Sequence, residues 1–524
     1  MRAYRRALRR TYLAFYAHHN APNILQLAAC NPILKGENAL IVAPTATGKT
    51  EAALAPIVER RMSLSDDNLR ILYVAPTRAL CRDMGDRMKE ILGVFKRKVL
   101  VRTGDSPNAP DPPPFMLVTT LESLDSLLAR APTALQTVQT VVLDEIHAVH
   151  GNARGDQLMV LLQRLDALCQ REVQRVALSA TIADPDVVVS RYLGEGQVIV
   201  GEGRRATVLK CVPDLAGLLA ALREQRLRRV LCFAETRAQV EEAAAQLLEL
   251  MPGGRILVHH AGLSARSRHE VEESMRTFSS WLCVATSTLE LGIDVGTIEA
   301  VALLQVPVNP SAFQQRIGRG ARRDSVIRVL GVAETDERKR QLEMHALFAD
   351  RGELESVRIR VDPGVAVQQI FSILFSRPSG VEEDELLQLL RGLTARVHLK
   401  RVIDHLVAEG HIRRERDTLL ATTRVMDLGR RGTVHANLPD SHGSQVFDSS
   451  TGRMIGNGFA PRTPGSVFVL GGRSWKVQSV KKNQVLVVPH AGADGTQKGL
   501  GRSRGKGPWD AYLPAEYRTG FEVS

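Results

Sequence analysis

Lys49 and Thr50 follow a short apolar run, Ala39-Leu40-Ile41-Val42, and a turn-rich loop from Ala43 to Gly48. These residue types at this spacing suit a bound triphosphate. Backbone N–H groups of Thr45, Ala46, Thr47 and Gly48, and of the helix starting at Lys49, converge on an anion. Lys49 supplies a point charge for the β- and γ-phosphates, and the Thr50 hydroxyl suits Mg²⁺. Such a site also needs two carboxylates. Asp144 and Glu145 close another apolar run as Asp-Glu-Ile-His, about ninety-five residues after Lys49. Asp144 is placed to hold the cation and Glu145 to orient and deprotonate the attacking water. The competing reading, two acids capping the next helix, loses ground to the upstream lysine and to His147 two positions later. Ser179 and Thr181 end the next strand-like run as Ser-Ala-Thr, where their hydroxyls can reach His147 and link the site to a domain interface.

A second cluster lies in QQRIGRGARR, 314–323. On a helix, Arg319 and Arg322 would be i, i+3 neighbours on one face, with Gln315 a turn earlier. Paired arginines suit charge developing at a γ-phosphate, where an arginine finger is worth roughly 10³ to 10⁵ in turnover. A helix lying on nucleic acid or merely solvated is the alternative, although Gly318 and Gly320 suit a plain surface helix poorly. The six cysteines, Cys30, Cys81, Cys169, Cys211, Cys232 and Cys283, form no CxxC pair. That spacing argues against a disulfide framework, a zinc ribbon or an iron–sulfur cluster.

Two alternating sets of strands and helices must position these groups, the pattern of parallel α/β sheets. In the first, the expected strands beyond 39–42 are 71–76, 99–104, 116–120, 140–145 and 175–181; in the second, which begins near Val208, they are 229–236, 255–262, 281–287 and 301–307. Functional groups in such sheets stand at the carboxyl ends of strands. The chain has 524 residues, 44% apolar and 24% charged, enough for three or four domains. A net charge of +12 points to a polyanionic partner. No apolar run approaches a membrane span. The first acidic residue is Glu37; before it, Arg2, Arg5, Arg6, Arg9 and Arg10 alternate with Tyr4, Leu8, Tyr12 and Tyr16. A mitochondrial presequence shares this pattern, but it runs on without a cleavage-like break, which favours a docked helix with a basic outer face and a cytoplasmic protein, nucleoid-associated in a prokaryote.

Residues from about 22 to 332 resemble the two-lobed motor of superfamily 2 helicases. APTATGKT, APTRAL, TGD, TTLESL, DEIH, SAT, FAETR, HHAGLS, TSTLELGID and QRIGRGAR occur in that order. Within the superfamily, TTLESL, DEIHAVHGNARGDQLMVLLQRL and HHAGLS with STLELGID are most similar to the large helicase-related (Lhr) proteins, as a core without their long C-terminal extension. The resemblance implies an α/β fold of two tandem RecA-like lobes, 1–200 and 201–345, then a winged-helix domain, 346–430, and a β-rich domain, 431–524. It implies ATP and Mg²⁺ as cofactors, with Lys49, Thr50, Asp144 and Glu145 on one wall of the site and Gly292, Asp294, Arg319 and Arg322 on the other. Gln26, with Phe15 or Tyr16, lies where helicases hold adenine; an ordinary helix-end glutamine is the equal alternative. Phosphate contacts to a nucleic-acid strand would come from Pro76, Thr77, Arg78, Thr103, Gly104, Thr119, Thr120 and Ser123 in the first lobe. Thr236, Arg237, His260, Gly262 and Thr286 would supply them in the second. Two departures, Ala46 and Ala321, stand where the family motifs have glycine, which can slow turnover.

The remainder is read in the same frame. Residues 365–424 give a winged-helix pattern with a wing tipped by 414–417, a brace against the lobes in preference to a DNA reader through Arg396, Lys400 and Arg401. Residues 465–491 read as a β-meander in which Trp475, Lys476, Lys481 and Lys482 suit a single-strand platform or, at least as well, a buried core tryptophan. Residues 494–506 read as a basic mobile loop. The expected activity is ATP-driven translocation by a monomeric motor, 3′ to 5′ on single-stranded or forked DNA. An RNA helicase or remodeller, a translocase that strips or anneals without unwinding, and a non-enzymatic scaffold remain alternatives.

Overall fold

The computed structural model describes residues 2–17, 21–44, 47–62, 68–104, 113–201, 206–290, 296–320, 326–356, 359–437, 444–459, 463–481, 484–490 and 508–521. The chain divides into two compact units: Met1–Glu202 with Ser356–Pro439 and Gly505–Ser524, and Gly203–Glu355 with Asp440–Arg504. Among the described residues, no helix is long and apolar enough to cross a membrane.

In the first unit, apolar runs bounded by turns build a parallel sheet buried on both faces by helices. Its strands are β1 (Ala39–Val42), β2 (Ile71–Ala75), β3 (Val99–Arg102), β4 (Met116–Thr120), β5 (Thr140–Leu143), β6 (Gln174–Ser179) and β7 (Gln197–Val200), in the order β3-β4-β2-β5-β6-β1-β7. The order sorts the motifs. The carboxyl ends of β5, β6 and β1 stand side by side and lead into Asp144, the Ser179 turn and the Lys49 loop, whereas β3, β4 and β2 lead into Thr103, Thr120 and Thr77. The sequence reading omits β7, a short edge strand whose outer residues are exposed. The basic N-terminus folds as two helices, Arg2–Ala7 and Tyr12–Tyr16, rather than one. The turn between them gives its Arg10 and Thr11 amides to the Glu59 carboxylate, docking the segment on helix Lys49–Arg61.

The same unit carries a helical module: helix Pro363–Ser376, β14 (Val381–Glu382), helices Glu383–Leu389 and Arg396–Ala408, and the hairpin β15 (Ile412–Glu415) and β16 (Thr418–Ala421). Helix Pro363–Ser376 is buried almost all round, as expected of an element wedged between neighbours. The Arg396, Lys400 and Arg401 side chains are exposed. Residues 508–521 also belong here and not with the β-rich domain as read from sequence. Trp509 and Tyr512 pack edge-on against Phe371, and the Tyr517 hydroxyl lies 2.8 Å from His398 Nδ1.

The second unit has a parallel sheet ordered β10-β11-β9-β12-β13-β8, from β8 (Ala206–Val212), β9 (Arg229–Phe233), β10 (Ile256–His259), β11 (Trp281–Ala285), β12 (Ala300–Leu303) and β13 (Val326–Val332). The sequence reading omits β8 and β13; β8 is a half-exposed edge strand without an apolar run. A mixed five-stranded sheet follows, ordered β18-β17-β21-β20-β19, from β17 (Ser444–Asp448), β18 (Met454–Phe459), β19 (Val467–Leu470), β20 (Arg473–Lys481) and β21 (Gln484–Pro489). Trp475 is a core residue of this sheet, 5% exposed, with its indole N–H donating to Leu470 O at 3.0 Å. It offers no stacking face, and Lys482 and 494–506 lie outside the described residues.

Candidate nucleotide site and strand-facing motifs

Gly48 caps helix Lys49–Arg61 from the left-handed region, φ +81°, and a Cβ there would lie 2.4 Å from Gln26 Nε2. The positive φ favours glycine there, and a Cβ would also displace the Gln26 amide. Lys49, 8% exposed, donates through Nζ to Ala43 O at 2.7 Å. Thr47 Oγ1 donates to Pro44 O at 2.7 Å, and Thr50 follows on the first helical turn. Thr45 and Ala46 lie outside the described residues.

Asn23 and Gln26 form a reciprocal capping box at the start of helix Ile24–Lys35. From it, Asn23 Nδ2 donates to Thr47 O at 2.7 Å and Gln26 Nε2 to Gly48 O at 3.4 Å. The Gln26 amide is thus engaged at both ends in holding the loop. Phe15 and Tyr16 do not stand ready to stack on a base: both are buried, and the Tyr16 ring packs between Tyr4 and Tyr12 with its hydroxyl on Glu51 O. Asn23 was not singled out from sequence, although Asn-x-x-Gln before an apolar run is a legible signal.

At the end of β5 the backbone turns sharply. Glu145 has φ +45°, a conformation unfavourable for a side-chain-bearing residue, and its amide donates to Asp144 Oδ1 at 3.0 Å. Burial, and then the adjacent Glu145 charge, push the Asp144 carboxyl up to about 7, against hydrogen bonding from Tyr73 and the positive charge of Lys49. Two neighbouring enclosed carboxylates with Lys49 beside them are a donor set that fits a divalent cation. Tyr73, fully buried on β2 against Asp144, is a residue the sequence reading missed. His147 Nδ1 lies 3.1 Å from Ser179 Oγ, accepts from the Ala180 amide at 3.4 Å and sits 3.4 Å from Glu145 Oε2. Ser179 Oγ in turn donates to Thr181 O at 3.0 Å.

The threonines expected to meet a nucleic-acid strand act first as helix caps. Thr77 accepts from Leu80 N, Thr120 from Ser123 N and Thr236 from Gln239 N, so each hydroxyl is partly spent and the amides of the first helical turn are what each motif presents. Thr119 and Thr120 are buried, and Thr119 Oγ1 donates to Arg102 O. Thr103 is buried too, and the Arg78 guanidinium lies over Gly104, where a Cβ would come within 2.8 Å. Arg154, also unforeseen, ties two of these motifs together by donating to Pro76 O and Glu122 Oε1, both at 2.8 Å.

In the second unit, Thr236 is exposed and Arg237 half-buried at the end of β9. His260 is different. It is fully buried, its Nε2 lies 2.8 Å from Glu241 Oε1, and its Nδ1 accepts from Gly262 N at 3.1 Å. The ring is therefore spent inside the unit and is not presented to a phosphate. The Gly262 carbonyl accepts from Asn457 N, and Thr286 N donates to His259 O. The helix expected to align Arg319 with Arg322 stops at Ile317. Gly318 and Gly320 interrupt it, consistent with their low helix propensity. Arg319 lies in the following turn, 3% exposed, with Nε donating to Glu290 O at 2.8 Å. Arg316 on that helix holds Glu235 and Glu290, each at 2.6 Å, and Gln315 is half-buried beside it. Gly292, Asp294, Ala321 and Arg322 lie outside the described residues.

The DEAD/DEAH box helicase family model matches residues 23–188, and the helicase conserved C-terminal domain model matches 211–324. The chain is 29% identical to the ATP-dependent helicase Lhr-Core protein 2 of Thermococcus barophilus, over 88% of this chain and 61% of that protein. It is 28% identical to the ATP-dependent helicase Lhr-Core of Methanocaldococcus jannaschii, over 88% and 61%. The chain thus spans about three fifths of the length of these relatives. Among solved structures, the helicase Lhr of Mycobacterium smegmatis, described as bound to ssDNA and AMP-PNP, matches with a TM-score of 0.72 and 26% identity over 83% of this chain and 62% of that one. The DUF1998 helicase MrfA bound to DNA and AMPPNP matches at TM-score 0.75 and 19% identity over 92% and 72%, a likeness of fold.

Proposed function

Because the chain belongs to the Lhr-like helicases of superfamily 2, we propose that it hydrolyses ATP to move along one strand of nucleic acid, 3′ to 5′ and on DNA. The observation that carries this reading is the convergence of the Lys49 loop, the Asp144-Glu145 turn and the His147–Ser179 link at the neighbouring ends of β1, β5 and β6. In this reading the loop and helix amides cradle the phosphates and Lys49 turns from Ala43 O to their charge. Thr50 and Asp144 would hold Mg²⁺, which would supply positive charge to offset that developing on the phosphates. Glu145 takes the proton of the attacking water, and His147 and Ser179 relay the state of the site along the sheet. Arg319 and Arg322 supply positive charge to the γ-phosphate, as their motif implies. The capped helices behind Thr77, Thr120 and Thr236 hold strand phosphates without reading bases. Its cell location in this reading is the cytoplasm, with nucleoid association in a prokaryote.

Glu145→Gln tests the centre of the proposal. ATP binding should persist while hydrolysis stimulated by single-stranded DNA falls by about 10²-fold or more; unchanged turnover would remove Glu145 from the role of base. ATPase rates with single-stranded DNA, forked DNA and RNA then establish the substrate, with the largest stimulation expected from DNA.

A further inference from the structure

At the amino-terminal ends of β9, β10 and β11, the sheet edge opposite Thr236, His260 and Thr286, the second unit contains a cavity of about 960 Å³. Five arginines line it: Arg223, Arg226, Arg228, Arg255 and Arg473. No Asp or Glu is among the described residues that line it. They converge from separate places: the end of helix Leu215–Glu224, the turn before β9, the turn before β10, and the first residue of β20 in the mixed sheet. All five are exposed. Arg226 is held at φ +55°. The floor between them is apolar, built from Leu219, Leu222, Met251 and Trp281. By contrast, Arg316 in this unit is matched by Glu235 and Glu290, and Lys210 by Glu224. A concave site with one sign of charge over an apolar floor concentrates anionic ligands.

Five positive side chains fit either nucleic acid or an acidic polypeptide, and the aromatic residues decide between them. A single strand bound without sequence preference stacks its bases on open rings. None is open here. Trp281 is 1% exposed with its indole N–H donating to Met275 O at 3.0 Å, and the Arg255 guanidinium already covers the Phe278 ring at 3.4 Å from the centroid. Guanidinium forks around an apolar floor match carboxylates flanking an apolar side chain. We propose that this cavity docks an acidic segment of a partner protein, its Asp or Glu side chains on the arginine rim and a Leu or Phe on the floor. The surface is separate from the strand-facing motifs, so docking there is compatible with the motor reading.

The test uses the full chain and a short fluorescent peptide that alternates Asp and Glu with Leu and Phe, with a control in which Ser replaces Leu and Phe, and an oligothymidylate. The apolar acidic peptide should bind at least about tenfold tighter than the Ser control. Arg228→Glu with Arg255→Glu should weaken it by about tenfold or more. Arg223→Glu with Arg473→Glu, on different elements, should do the same, while oligothymidylate affinity and DNA-stimulated ATPase stay unchanged in both variants. Equal binding of the Ser control, or peptide affinity unchanged in both variants, would overturn the proposal. An equal loss of oligothymidylate affinity would also overturn it and assign the cavity to nucleic acid.

Discussion

Each unit carries an appended module fastened by one buried carboxylate, and the two fastenings differ in kind. On the first unit, Asp125 receives six groups, three on each oxygen. Gln157, Gln368 and Gln369 amides reach Oδ2 at 2.8, 2.9 and 2.6 Å, while Arg164, His435 and Ser372 meet Oδ1. On the second, Glu241 receives His260 Nε2 at 2.8 Å and the Gly471 and Gly472 amides at 2.7 and 3.2 Å, a ring nitrogen and two backbone amides in place of a guanidinium. The first joint is a charge pair embedded in neutral donors; the second is a carboxylate held by dipoles. Both acids stand five residues beyond a threonine that caps a helix, Thr120 and Thr236. The helices are not topological equivalents, since one follows β4 and the other follows β9, the counterpart of β2. The same device has thus been built twice at different places. Only the second passes through a motif residue, His260, whose loop is further pinned where Ser264 and Asn457 amides donate to Ile455 O and Gly262 O.

The sharpest break of that comparison is Asp125→Ala, which leaves Arg164 buried without its counter-charge. A loss of about 3 to 5 kcal/mol is expected, read by urea unfolding, with faster hydrogen exchange across 363–435 and little change across 444–490. Burial pushes the Asp125 carboxyl up, but hydrogen bonding from His435, the charge of Arg164 and the Ser372 hydroxyl outweigh it and hold the group well below the usual carboxylate range. A depressed carboxylate contributes stability above its unfolded pKa of about 4 and loses that contribution as pH falls through its lower folded value. The gap between wild type and Asp125→Asn should therefore be full at pH 7 and narrow below about pH 4.

Glu241→Ala should cost less, about 2 to 3 kcal/mol, because it orphans three neutral donors. Its exchange pattern should be the reverse, fast across 444–490 and slow across 363–435; loosening of both modules would show that the joints are not independent. His260→Ala should cost about 1 to 2 kcal/mol and leave the salt dependence of DNA binding unchanged. A salt slope reduced by about one would restore His260 as a phosphate contact. The smallest effect belongs to Arg130→Ala, which removes donors to Gly429 O and Arg430 O at the end of helix Thr423–Arg430; about 0.5 to 1 kcal/mol is expected by thermal unfolding.

Much of the candidate site was legible because its chemistry is local. A glycine before a lysine at a strand end, or two acids closing an apolar run, can be read within a few residues. The sequence reading failed where burial or long-range partners decide. His260 and Thr119 carry polar groups, but whether those groups face solvent depends on segments far away in the chain. Arg319 lies beyond the helix expected to carry it, which ends at Ile317, because an i, i+3 pattern was extended across Gly318 and Gly320. Tyr73 and Asp125 carried no signal, since a tyrosine in a strand and an acid on a helix are ordinary until their neighbours are known. Arg154 did sit in a family-like stretch, without an identifiable role.

Residue order alone determined the kind of groups available, the alternation that makes two parallel-sheet units, and the loop that suits a triphosphate, because propensity and periodicity act over a few residues. Tertiary structure decided which strand ends became neighbours, placing β1, β5 and β6 together and β2, β3 and β4 together. It also decided that residues 508–521 return to the first unit, that Trp475 faces inward, and that five arginines from a helix, two turns and a strand share one cavity. Those outcomes depend on packing between segments up to hundreds of residues apart, where buried area and polar satisfaction, not local preference, select the arrangement.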